Sequence, residues 1–424
     1  MRIRGDRVLG FAALGLSGVA AYGFLAVAGR SLGPRDFAPL GALWALVFLA
    51  TAAMAGPIEL AVSRSVARSR ARQGSPWAAA RSGLILAILA GITVAVTLFL
   101  AGGWLEREAF AGQPGYSAAA AAAFAGLTVG AVAKGVCAGS DRLAGWGSYL
   151  LADGGTRFLL AVVAAVAIPT PTAFAVALAI APWIALFAPA VALRRILADR
   201  GTLPEHESVF GLARSAAPLI VAAAVAAAAT YMGAVMLPFL EPGPSARVGA
   251  TISALSLARV PLFVLSPLVA IAVPRIAFAA QTDDMREARR VAAILLGTAG
   301  VAGLVVFSVA AGAGGNIMTW LFGPGFVIPD GSLRAVGISG AGWLLATAGT
   351  SIAIGFGEGR LAVLAWSAGL AVALLAALVV GPDAFDRTDA AISLGAIAAA
   401  FSGVLAVGVV LRSTRLRVAF GLSA

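Results

Sequence analysis

The chain has 424 residues, of which 61% are hydrophobic and 12% charged, and its mean hydropathy is +0.97. That leaves too little polar surface to clothe a water-soluble globule, so the chain reads as an all-α, polytopic membrane protein. The formal charge of +11 would suit nucleic acid if the basic residues formed one tract; they are spread instead over alternate loops, which excludes nucleic acid and makes anionic membrane lipids the expected neighbours. Cys137 is the sole cysteine, so no intramolecular disulfide is available.

In chain order, twelve apolar runs predict helices over 8–29, 39–62, 82–102, 118–138, 148–168, 173–193, 212–237, 248–272, 291–311, 334–356, 361–380 and 390–411. Each is long enough to cross roughly 30 Å of hydrocarbon at about 1.5 Å per residue. The first run follows Arg2, Arg4 and Arg7 as a signal peptide would. Its length, with a second run close behind, favours a retained helix. With the N-terminus inside, 21 of the 30 basic residues fall in inner segments and six in outer loops: Arg30, Arg35, Arg107, Arg247, Arg334 and Arg387. This is the bias of a plasma-membrane protein with both termini in the cytoplasm.

The longest inner polar stretch, Arg194 to Phe210, divides the runs six and six. The expected organisation is therefore a six-helix bundle over 1–193, a cytoplasmic linker over 194–211 and a second six-helix bundle over 212–424. The halves echo each other. LGPRDFAPLGAL after the first run is matched by EPGPSARVGATISAL after the seventh, and Gly56-Pro57 precedes Arg64 much as Ser266-Pro267 precedes Arg275. An even number of crossings per half gives both the same orientation, hence a pseudo-two-fold along the membrane normal. Pro57, Pro182, Pro218, Pro261 and Pro267 fall inside runs, where each removes a backbone donor.

Enzyme chemistry is nearly excluded by inventory. His206 is the single histidine and lies in the linker, and Lys134, the single lysine, follows Ala133, so neither a histidine-based site nor a Walker A motif is present. No cofactor is called for, and a secondary transporter remains. The charges inside the runs are then the informative residues, because each costs several kcal/mol there unless paired or functional. Glu59, Lys134, Asp153 and Arg157 fall toward the inner half, and Arg259 in the middle of the eighth run. Asp153 and Arg157 are four apart and can pair on one helix face, while Lys134 and Glu59 can snorkel to the inner interface. Arg157 and Arg259, from opposite halves, with Lys134 as a third member, are candidates to bind an anionic substrate, since the arginine fork suits phosphate oxygens. Asp153 and Glu59 are the candidate coupling or structural carboxylates. Trp104, Trp146 and Trp320 fit interfacial belts; Trp44, Trp183, Trp343 and Trp366 lie deeper, as core residues or as platforms for a sugar ring.

Three stretches carry a family resemblance: SLGPRDFAPLGALWALVFLATAAMAGPIELAVSRSVAR (Ser31 to Arg68), ARSAAPLIVAAAV (Ala213 to Val225) and IMTWLFGPGF (Ile317 to Phe326). With the twelve-run layout, they resemble the polysaccharide and O-antigen flippases of the multidrug/oligosaccharidyl-lipid/polysaccharide exporter superfamily. The resemblance implies two six-helix bundles in a V, alternating access, and carriage of a polyprenyl-pyrophosphate-linked oligosaccharide across a bacterial plasma membrane, with glycan polymerase or glycosyltransferase partners. Drug-extruding relatives share the twelve spans, so an ion-coupled multidrug exporter is the alternative. A third is a non-transporting scaffold of a glycan assembly complex.

The charge bias makes a direct prediction. Reporter fusions after Arg107 and after Arg387 should report from outside and a fusion after Arg290 from inside; a cytoplasmic signal at either outer site would break the topology.

Overall fold

Hydrocarbon offers no water to satisfy backbone amides, so a crossing chain must bond them within helices or a closed barrel. The computed structural model describes residues 5–198, 208–282 and 284–419, and among these the chain is helical with no strand. Arg2, Arg4, Arg200 and His206 lie outside the described residues, as does the middle of the expected linker, 199–207.

The first two runs join into α1 (Gly5–Ala50), a π-helical segment (Thr51–Ala55) and α2 (Gly56–Ala71). α1 is broken at Gly33, whose φ of 72° and ψ of 167° are foreign to a helix. A left-handed φ is open to glycine at little cost, and Pro34 directly after it cannot donate to the preceding turn. Gly243, which stands before Pro244 in the echo of this motif, also has a positive φ, 101°. Next come α3 (Pro76–Glu108), α4 (Tyr116–Gly139) and α5 (Leu143–Ala167). The sixth run divides into α6 (Pro171–Ala185) and α7 (Ala190–Leu197), with Pro189 capping the second piece. Thus residues 194–197, expected in the linker, are helical, and α8 (Val209–Leu240) already starts before its end. The eighth run divides into α9 (Ala246–Leu257) and α10 (Val260–Gln281), followed by α11 (Met285–Phe322), α12 (Asp330–Gly355), α13 (Gly359–Val379) and α14 (Ala384–Ala419).

Ten described helices are long and apolar enough to cross a membrane, eleven with the bent pair Ala246–Gln281 taken as one crossing. One of the ten, Ala12–Ala71, is 60 residues long, about 90 Å of helix, enough for two crossings parted at Gly33. Counted so, the crossings number twelve, as the hydropathy pattern predicts. Most helices overrun the apolar runs, because a turn begun in hydrocarbon continues into the interface until a cap or proline stops it, while α5, α12 and α13 end within a residue of theirs.

Backbone proximity separates two compact units. The first comprises Met1–Ala227, Pro238–Ile252 and Thr319–Phe326; the second comprises Ala228–Leu237, Ser253–Met318 and Val327–Ala424. The expected halves, 1–193 and 212–424, are continuous in sequence, whereas these units are not. Parts of α8, α9 and α11 and the start of α8 in particular are counted with the first unit.

Within the first unit, Ile58, Val62 and Val66 of α2 pack with Ala79 and Ala87 of α3 and with Phe124, Val132 and Val136 of α4. Within the second, Leu265 and Ile276 of α10, Leu295 and Ala299 of α11, Leu344 and Ile352 of α12 and Val407 of α14 form the corresponding cluster. Outside these clusters large apolar side chains stand bare: Phe99 is 84% exposed, Val166 83% and Phe187 80%. In water such a surface would aggregate; against lipid tails it is the expected exterior.

Without a hydrophobic drive between helices in lipid, close van der Waals contact holds the bundle, and small residues permit it. A Cβ on Gly349 of α12 would stand 2.6 Å from the Gly403 carbonyl carbon of α14 and 2.7 Å from its oxygen. Backbone cannot move aside as a side-chain tip can. Gly349→Leu should therefore lower thermal stability in detergent by about 2 kcal/mol or more, whereas Gly297→Leu, with open space around its Cβ, should leave the melting curve in place. Equal melting of the two variants would refute this packing.

Candidate functional site

Two ion pairs occupy the first unit, one half-buried and one buried. α2 and α4 approach closely because Gly135 has no side chain; a Cβ there would lie 2.7 Å from the Glu59 carbonyl oxygen. The neighbouring Lys134 then reaches across, and its Nζ donates to Glu59 Oε2 at 2.5 Å. Trp146 Nε1 donates to Glu59 Oε1 at 2.7 Å, and the lysine ammonium sits 5.9 Å from the Tyr149 ring centre. Trp146, expected in an interfacial belt, is thus a ligand of the carboxylate. The Lys134 and Glu59 side chains keep 18% and 20% exposure, so the pair is half-buried and neutralised within the protein.

The second pair is deeper. Asp153 and Arg157 lie four apart on α5, and one arginine nitrogen, NH2, donates to both carboxylate oxygens at 2.7 Å. Arg157 is 2% exposed and Asp153 8%. α5 can bring this face against α1 because Gly154 abuts the Ser17 backbone; a Cβ there would meet the Ser17 oxygen at 2.9 Å. The guanidinium carbon then lies 5.4 Å from the Trp44 ring centre and 5.3 Å from that of Phe48. Trp44 in turn stacks on Phe24 at 5.4 Å and lies 4.3 Å from Phe48, and Phe24 meets Phe174 edge-on at 6.2 Å. The ring faces supply cation–π attraction that strengthens as water is excluded. Arg157 Nε is buried with no hydrogen-bond partner among the described residues.

In the second unit Arg259 occupies the break between α9 and α10. The sequence places it in mid-span; the structure shows that the helix is interrupted there. Pro261 stands in the first turn of α10, where its missing N–H needs no helical partner, and Arg259 N bonds to Ser256 O at 3.1 Å in a tighter turn. Its side chain turns inward, 6% exposed. NH2 donates to the Thr230 carbonyl at 2.7 Å, and the guanidinium carbon lies 4.1 Å from the Tyr231 ring centre and 5.2 Å from that of Trp343.

The five charged residues singled out in the sequence are thus gathered as Glu59 with Lys134, Asp153 with Arg157, and Arg259 apart in the other unit. Sequence reasoning missed the aromatic partners. Trp44 and Trp343 are buried, and each lies against an arginine; Phe48 and Tyr231 were not singled out. The spacing of Trp44 and Phe48, four residues on one helix face, is a signal for a shared platform but does not name the cation upon it. Trp366 is buried, while Trp183, at 41% exposure, is not. Among the described residues no group of three or more His, Cys, Asp or Glu side chains is placed to hold a metal ion.

No family profile matches the sequence, and no curated protein does. Solved structures do. A multidrug resistance MATE family transporter of the MOP superfamily, in an inward-facing conformation, aligns over 95% of this chain and 96% of its own, with a TM-score of 0.75 and 17% identity. An outward-facing structure of such a transporter aligns over 98% and 99%, at TM-score 0.70 and 15% identity. A MATE transporter of Vibrio cholerae aligns over 96% and 97%, at 0.66 and 16%. At these identities the likeness is one of fold, and it spans the whole length: the chain is a multi-pass membrane protein with the fold of the MATE transporters.

Proposed function

We propose that this chain is an alternating-access secondary transporter that exports amphipathic solutes by ion coupling, with Asp153 as the coupling carboxylate. The observation that carries the reading is the buried Asp153–Arg157 pair, a titratable group within a crossing helix of a chain that has a transporter fold and no nucleotide-binding motif. An ionisable residue in that position is costly and is retained for ion or substrate handling. A proton arriving at Asp153 competes with Arg157 for the carboxylate, so protonation frees the guanidinium, and deprotonation recaptures it. Glu59, tied by Lys134 and Trp146 in the first turn of α2, has the structural role in this scheme. The setting is a bacterial plasma membrane with both termini in the cytoplasm, as the arginine bias suggests.

The test is efflux of fluorescent amphipathic cations from proteoliposomes under an imposed proton or sodium gradient. Wild-type protein should transport when the gradient is applied and stop when an ionophore collapses it. Asp153→Asn should abolish gradient-driven transport. Removing one partner of a buried pair strands the other at about 3–5 kcal/mol, so the neutral double variant Asp153→Asn/Arg157→Gln is included; it should regain stability without regaining transport. Coupled transport by a folded Asp153→Asn protein would overturn the assignment.

A second substrate class, a polyprenyl-pyrophosphate-linked oligosaccharide, is favoured by the Ser31 to Arg68 resemblance and by the arginine fork of Arg259. Glycan polymerase or glycosyltransferase partners belong to this reading alone. The same vesicles carrying a fluorescent lipid-linked oligosaccharide separate the two. Flipping of that lipid without dye efflux, lost in Arg259→Ala and only partly restored in Arg259→Lys, would favour the flippase. Dye efflux without lipid flipping would favour the exporter.

A further inference from the structure

At the end of the first unit that the loop charges assign to the cytoplasm, α2, α3, α7 and the turn between α4 and α5 converge on a niche of about 70 Å³. Its lining is Arg70, Pro76, Ser140, Arg142, Arg195 and Ile196. We propose that this niche binds a phosphate group, carried either by an anionic phospholipid headgroup or by free phosphate. The site is separate from the transport charges and does not depend on which solute is carried.

Taken one at a time, the arginines have an ordinary explanation. Arg70 and Arg195 stand in the last turns of α2 and α7, where a cation complements the helix dipole, and all three obey the positive-inside bias. Their convergence does not have that explanation. Three guanidiniums from three separate segments line one small space, and among the described residues none of the three makes a hydrogen bond or ion pair through its side chain. Like charges brought together repel unless an anion lies between them.

Two further features point to an oxyanion. Ser140 is 4% exposed, and its hydroxyl is buried with no hydrogen-bond partner among the described residues, a donor that ordinarily finds an acceptor. The niche also borders the start of α3, a helix of 33 residues that begins at Pro76 behind its Ser75 cap, and a helix N-terminus favours negative charge. The turn that presents Ser140 and Arg142 is held by Asp141 at φ 55°, a left-handed conformation that aspartate tolerates better than most residues. Asp141 itself is exposed and does not line the niche. A water needs about 10–15 Å³ of such space, so the volume accepts several waters or one tetrahedral phosphate. Guanidinium forks match its oxygens two at a time.

The experiment uses the full-length protein in two arms. In detergent, inorganic phosphate is titrated against thermal unfolding. In phosphatidylcholine nanodiscs with and without phosphatidylglycerol, retained lipid is counted by native mass spectrometry. Arg142→Gln and Arg195→Gln, both exposed and so safe for folding, should each weaken binding about three- to tenfold. Ser140→Ala should weaken it at unchanged net charge, and the Arg64→Gln substitution, at an exposed arginine of α2 outside the niche, should leave it unchanged. A response to phosphate alone identifies a soluble anion and a response to phosphatidylglycerol alone identifies a headgroup; either supports the site. Equal binding by the niche variants and Arg64→Gln, or no binding in both arms, overturns it.

Discussion

The structure depends on one constraint: a charge held in hydrocarbon must be matched inside the protein. Lys134 is matched by Glu59 and Arg157 by Asp153, and Arg157 and Arg259 each lie against aromatic rings. Each arrangement dictates local packing. Gly135 has to be bare for α2 to come within reach of Lys134, and Gly154 has to be bare for the first part of α1, at Ser17, to close on the helix that carries Asp153 and Arg157. Removing one charge of such a pair is far more damaging than removing both, because the survivor is left without water or partner.

Irregular backbone accompanies the two arginines. The π-helical segment Thr51–Ala55 begins three residues after Phe48, the neighbour of Arg157, and Arg259 sits in the break of the eighth crossing. These are the second crossings of the two sequence halves, and a proline follows each irregularity, Pro57 in one and Pro261 in the other. Single π turns and broken helices concentrate at functional sites, where the unbonded carbonyls line protein rather than lipid.

Much of the architecture was legible because hydropathy and proline act locally. Most predicted runs lie within one helix or a broken pair to within a residue, the second run also crosses the π-helical segment, and Gly33-Pro34 marks the turn between the first two crossings. The Asp153–Arg157 pair was legible from spacing alone, since one helix carries both residues. The pairing of Lys134 with Glu59 was not, because the two are 75 residues apart and meet only through helix packing. Nor was the inward turn of Trp146: a tryptophan near a predicted span end reads as an interfacial residue until its carboxylate partner is known. The break at Arg259 was half legible. Pro261 announced a kink, but the pattern around it was apolar throughout and gave no sign of which residue the kink would turn inward. The sixth run is apolar across Pro189, so hydropathy alone does not reveal the turn between α6 and α7 there.

The proposed coupling has Asp153 trade its bond to Arg157 for a proton. Infrared difference spectroscopy on the reconstituted protein measures this directly, with transported solute added at constant pH. The expected result is a protonated-carboxyl band that changes with solute, shifts on isotope exchange of the medium and is missing from Asp153→Asn. A carboxyl signal identical in wild type and Asp153→Asn, or its absence from a wild-type protein that transports, would contradict it.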